Sequence, residues 1–314
     1  MCSSFIVNYG VAPSGRNKNY LVGIAQISFH AGDFWRFLCT ARKRPFLWWS
    51  TYMQVAELIN AIEEIAPLEA AASWDISGLQ VAALRQEVNS IAVCLDPTPQ
   101  SVRQSLDLGA QFILSHHPLT LKPALPARLD AYHEVLRLLI RADVPLYAAH
   151  TSLDVNPRGP VGWLAADLKL ANLTVLEPVP STIEGRMLGY GLAGDLPQPQ
   201  TVEHIIRVLE SILDLSTATL SGPPPAKIHR LAYCTGSGSS LLAAAHKAGA
   251  QLFITGDVKY HTALDAEIPL LDVGHHSLEE EMMRRMCHVL QQRCNGLTVH
   301  FVPSASPFRT VALS

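Results

Sequence analysis

From Met53 onward the chain alternates short, continuously apolar runs with segments whose apolar residues recur every three or four positions. Val55, Leu58, Ile59, Ile62 and Ile65 share one helical face, so an amphipathic helix opens the body. Ile91–Leu95, Phe112–Ser115, Leu231–Thr235 and Leu252–Thr255 are apolar throughout, as strands covered on both faces are. Helices are predicted over Pro99–Leu108, Ser239–Ala248 and Val202–Leu213, with Gly109 and Gly249 where a helix C-cap is wanted. The pattern predicts an α/β protein of two similar lobes, with mixed, mostly parallel sheets flanked by helices. Val179–Asp195 with Pro197–Pro199 reads as the linker between lobes, and Ser221–Pro225 as a second loop.

The lobes are similar because the sequence repeats. Ile91–Cys94 resembles Leu231–Cys234, and Gly109–Ser115 resembles Gly249–Thr255, both at an offset of 140 residues. Val144–Ala149 then resembles Ile268–Val273, and His150-Thr151-Ser152-Leu153-Asp154 resembles His275-His276-Ser277-Leu278-Glu279. An internal duplication accounts for this, with one lobe over 53–180 and the other over 181–314.

Residues 1–52 differ from the rest. They hold 11 of the 22 aromatics and six Lys/Arg against one acid, leaving a body of net charge −8 within a chain of −3. The segment is expected to be an extension outside the fold and poorly ordered, with three readings: a misplaced start, a lineage-specific extension or a targeting segment. The acidic body argues against a nucleic-acid partner held by bulk charge. Six cysteines without a CxxC pair fit a reducing, cytoplasmic compartment, and no apolar run is long enough to span a bilayer.

Candidate chemistry falls at the predicted strand ends, where open α/β sheets bind ligands. His116-His117-Pro118 follows one strand, and adjacent side chains on an extended backbone point apart, so the pair can serve two cations, or one cation and a supporting partner. Alone, such a pair is as readily an exposed loop, and Asp154 before Asn156-Pro157 is as readily a turn starter. His275 and Glu279, an i,i+4 pair on a starting helix, share one face and suit chelation, although Glu279 also complements the helix dipole. Convergence of His116, His117, Asp154, His275 and Glu279 would suit two divalent cations about 3.5–4 Å apart, with Glu279 bridging. Zn, Fe, Mn and Ni all accept such a mixed donor set. Gly236-Ser237-Gly238 can cradle a phosphate, or form a tight turn. Asp257, Lys259 and His261 can line the pocket or sit at the surface, and Asp75 can approach it from the Trp74–Leu79 string.

Together these strings resemble the GTP cyclohydrolase type 2 homologue family, the NIF-three-like dinuclear metal centre proteins, from Met53 to about Arg309. The strings are Trp74-Asp75-x-Ser77-Gly78-Leu79-Gln80-Val81, Ser115–Leu119, Ala148-Ala149-His150-Thr151-x-Leu153-Asp154, Gly236–Gly238, Ile254–His261 and Gly274-His275-x-x-x-Glu279. Ile76 departs from the family, which has Asn there. The resemblance implies a homo-hexamer enclosing a cavity and the five ligands named above, with His150 nearby. It also implies hydrolysis of a nucleotide-like small molecule, in which Glu279, His150, Lys259 and His261 would act. The rival expectation is a metal-binding or regulatory scaffold without catalysis.

Overall fold

The structure, a computed structural model, describes residues 52–311; the expectation for the N-terminal extension lies outside them, Tyr52 apart. In chain order come β1 (Met53–Gln54), α1 (Val55–Glu63), β2 (Gly78–Val81), β3 (Glu87–Val88), β4 (Ser90–Cys94), α2 (Pro99–Asp107), β5 (Phe112–Ser115), α3 (Ala131–Ala142) and β6 (Leu146–Ala148). Then follow α4 (Thr151–Asp154), α5 (Trp163–Asp167), β7 (Ala171–Ile183), β8 (Arg186–Gln200), α6 (Val202–Glu210), β9 (Thr219–Ser221) and β10 (Ile228–Ser237). The chain closes with α7 (Leu242–Lys247), β11 (Phe253–Gly256), α8 (Tyr260–Asp265), β12 (Leu270–Asp272), α9 (His275–Arg293) and β13 (Thr298–Val302).

Two mixed sheets flanked by helices form the body. One has the order β13-β4-β5-β6-β2 and the other β7-β8-β10-β11-β12-β9. Each is built on three parallel strands, β4-β5-β6 and β10-β11-β12, and an antiparallel strand, β2 or β9, closes one side. The duplication extends to register. Ala92 pairs with Ile113, and 140 residues later Ala232 pairs with Phe253. Even a side-chain contact is repeated: Gln111 Oε1 accepts the Asn89 N–H at 2.9 Å, and Gln251 Oε1 accepts the His229 N–H at 2.7 Å.

The halves of the sequence and the two sheets do not coincide. Position 180 lies inside β7, which belongs to the second sheet, and β13 returns to pair in parallel with β4 of the first. The expected linker at Val179–Asp195 is instead a long hairpin, β7 to β8. Glu184 (φ 49°) and Gly185 (φ 72°) turn it, the two positive φ values that match the right-handed twist of paired strands. Pro178 and Pro180 are tolerated because β7 is an edge strand, which need not donate outward. Pro197 and Pro199 fall where the β8–β10 register jumps, between the pairs Arg230–Asp195 and Ile228–Gln200.

Helix α9 lies in the main core. Leu278, Met282, Met283, Met286 and Leu290 are fully buried, in one cluster with Leu58 and Ile62 of α1, Ile91 and Phe112 of the first sheet, and Tyr233 and Ile254 of the second. Each such aliphatic side chain contributes about 1.5–3 kcal/mol when removed from water. Cys94, Cys234, Cys287 and Cys294 are free thiols. No helix among the described residues is long and apolar enough to cross a membrane.

Candidate metal centre

The carboxyl ends of the parallel strands carry the polar strings. β5 runs into His116 and His117, whose backbone hooks over the end of β4. The His116 N–H reaches the carbonyls of Cys94 (3.2 Å) and Leu95 (3.1 Å), and the His117 N–H also reaches Leu95 (3.1 Å). Ser115 Oγ donates to the His117 carbonyl at 2.8 Å. Because the chain hooks here, the two imidazoles lie on the same side, with centroids 4.9 Å apart, where an extended backbone would have separated them. β6 leads to His150, and the single turn of α4 carries the chain on to Asp154. β12 leads to Gly274 (φ 86°), which turns the chain into α9 and sets His275 and Glu279 one turn apart.

These side chains meet. Glu279 Oε1 lies 2.8 Å from His275 Nε2 and 3.5 Å from His116 Nε2, while Oε2 lies 3.2 Å from His117 Nε2. Asp154 Oδ1 lies 3.8 Å from His116 Nε2. Two trios form, His116–His117–His150 and His117–His275–Glu279, each offering donor atoms within 4.8 Å of one another and sharing His117.

All four imidazoles have Nδ1 held by an oxygen. His116 meets the Ala149 carbonyl (2.9 Å), His117 meets Asp96 Oδ1 (2.7 Å), His150 meets Asp75 Oδ1 (2.9 Å) and His275 meets Asp257 Oδ2 (2.6 Å). A proton kept on Nδ1 leaves the Nε2 lone pair for a cation, the usual outer support of a metal-bound histidine. Asp75 is itself fixed. Its side chain is fully buried and accepts from the Ile76 and Thr151 N–H groups and from the hydroxyls of Ser77 and Thr151. Asp96 escapes a reading of the sequence, because Asp-Pro after a strand looks like a plain turn. The available signal was the position of Asp96 at the end of β4, the strand that neighbours β5.

The electrostatics fit a cation-binding cluster. Burial alone would raise the Glu279 carboxyl, but the charge of His116 and the close imidazoles of His116, His117 and His275 hold it well below its ordinary value. Burial lowers the histidines, yet His117 is pushed up to about 10 by Asp96 and Glu279, and His275 to about 9 by Glu279 and Asp257. Asp154 is raised, by burial first and then by the charge of Glu279. His116 Nε2, Asp154 Oδ1, His275 Nε2 and Glu279 Oε2 are buried without an aligned hydrogen-bond partner. Orphaned polar atoms are costly, and four at one point fit the coordination of cations.

The remaining candidates divide. Gly236 (φ 67°) abuts the cluster, and a Cβ there would collide with Glu279 Oε1, so the loop backbone passes directly over the carboxylate. The Gly238 N–H is engaged by Thr255 Oγ1 at 2.8 Å and is not free for a phosphate; Ser237 is exposed. Asp257 joins the site through His275. Lys259 and His261 are exposed, and neither makes a hydrogen bond or ion pair with the cluster.

Residues 53–307 match the family described as Duf34/NIF3 (NGG1p interacting factor 3). A Streptomyces coelicolor protein named GTP cyclohydrolase 1 type 2 homolog is 32% identical over 233 residues, covering 72% of this chain and 81% of that one. A Clostridium perfringens protein of the same name is 30% identical over 256 residues, covering 80% and 96%. Among solved structures, the Staphylococcus aureus hypothetical protein SA1388 superposes with a TM-score of 0.73 at 26% identity, covering 82% of this chain and 99% of that one. With the histidine-rich centre at the facing strand ends, these matches place the chain in the NIF3 family.

Proposed function

We propose that the protein holds two divalent cations between its halves and uses them to hydrolyse a nucleotide-like substrate, in line with the name its relatives carry. The carrying observation is the convergence of four Nδ1-anchored imidazoles with Glu279 and Asp154, four of whose polar atoms are buried without an aligned hydrogen-bond partner. His116, His117, His150, Asp154, His275 and Glu279 would hold the cations, with Glu279 touching imidazoles of both trios. Zn, Fe, Mn and Ni suit this donor set. Bound there, such cations lower the pKa of water and polarise an electrophile. Around them the chain supplies orientation: Asp75, Asp96 and Asp257 fix the imidazoles, and Gly236 brings the backbone against Glu279. Exposed Ser237, Lys259 and His261 would meet substrate from the solvent side. A homo-hexamer is the proposed assembly, to be checked by light scattering.

Glu279→Gln should strip most of the metal, measured by elemental analysis, and abolish turnover of a nucleotide and phosphoester panel. Full metal content with unchanged turnover would remove Glu279 from the site. A second reading, a metal-binding scaffold without catalysis, is favoured by one observation: no Lys, and no His beyond the four, makes a hydrogen bond or ion pair with the cluster among the described residues. Bound metal without turnover of any substrate would select it.

A further inference from the structure

Trp74 is a large aromatic residue that folding does not bury: 61% of it remains exposed. It is nonetheless held in place. The next residue, Asp75, is pinned through its carboxylate to Ser77, His150 and Thr151, so the backbone beneath the indole is tied to the metal centre. The indole meets the His150 ring edge to face, with centroids 5.9 Å apart and planes at 76°. His150 in turn lies 5.2 Å from His116 and 5.5 Å from His117. One imidazole therefore separates an open aromatic surface from the donor cluster.

Indoles are usually largely buried, and their faces favour offset stacking with other planar aromatic rings, nucleobases included. A platform whose backbone is already fixed loses little freedom on binding. Stacking of a base on an aromatic side chain strengthens binding by roughly 5- to 150-fold. We propose that Trp74 is the ring-binding determinant of the site, stacking a purine or similar planar heteroaromatic ring of the substrate beside His150. The proposal rests on the nucleotide-like reading of the substrate and names the side chain that would recognise the base.

The test uses the full chain loaded with Mn, titrated calorimetrically with GMP and with ribose 5-phosphate, which lacks the ring. Trp74→Ala should weaken GMP binding by about tenfold or more, leave ribose 5-phosphate binding unchanged and leave metal content unchanged. Trp74→Phe, which keeps an aromatic face, should restore most of the GMP affinity. Equal GMP binding by wild type and Trp74→Ala would overturn the role of Trp74 while leaving the nucleotide reading intact. Equal loss of both ligands, or loss of metal, would show that Trp74 only supports His150, and would also overturn the proposal. Metal-loaded wild type that binds no ring compound would defeat both readings together.

Discussion

The Nδ1 atoms of His116, His117, His150 and His275 each face an oxygen, so each ring is fixed in orientation by the protein itself. Asp75 gives the clearest test. An Asn there keeps the shape but cannot accept from His150, Ser77 and both Thr151 donors at once. Asp75→Asn should lower metal affinity by about 10–100-fold with the fold intact, read by calorimetry and circular dichroism. Unchanged affinity would mean that His150 takes no part in binding. Gly236 belongs to the same scale: its positive φ and its contact with Glu279 leave no room for a side chain.

Three successive acids on α9 are nearly buried, and each faces a different partner. Glu279 faces the imidazoles, Glu280 accepts from the Ser304 N–H (2.7 Å) and hydroxyl (3.0 Å), and Glu281 meets Arg284 and Arg285. Ser304 also contacts His276 Nε2 at 2.8 Å, stitching the C-terminal segment to the start of α9. Ser304→Ala leaves Glu280 one partner short and should cost about 1–3 kcal/mol in urea unfolding. A change below the error of the extrapolation would show that water replaces the hydroxyl.

At this scale the sequence was readable where burial is two-sided. β5 has the predicted ends because Phe112, Ile113 and Leu114 form one apolar run, and the 140-residue offset reappears in register. The hairpin of β7 and β8 was hidden by its prolines and glycines, which mark loops unless an edge strand and a register jump excuse them. Thr298–Val302 gave no clear signal, since it carries His300 among apolar residues and its partner β4 lies 208 residues earlier. At the site, the side chains that converge were legible as strings following strands. Asp96 was not, because its role exists only once β4 and β5 are neighbours. Lys259 and His261 occupy the strand end of the second half but face solvent.

For the whole molecule, the cluster links stability to pH. His117 and His275 hold protons more tightly folded than unfolded, so their contribution is complete below about pH 6.5 and is lost as pH rises through about 9 and about 10. Glu279 acts oppositely: its contribution is present above about pH 4.5 and is lost as pH falls through its depressed value. Chelator-treated protein should therefore draw most from this cluster between about pH 4.5 and 6.5, while added metal should stabilise it most at alkaline pH by displacing those protons. Thermal melts across pH, with and without Mn, check both; a metal effect that does not grow with pH would contradict the assignment.

The return of β13 to the first sheet bears on how the protein is made. A ribosome releases the amino-terminal strands long before Thr298–Val302, so the first sheet waits unfinished, with one flank of β4 open, until synthesis is nearly over. The imidazoles of β5 and β6 likewise precede Glu279. On the proposed function, metal insertion would be a closing event of biogenesis, and a nascent chain halted before α9 would carry an exposed strand flank and four of the six proposed ligands for a chaperone to shield.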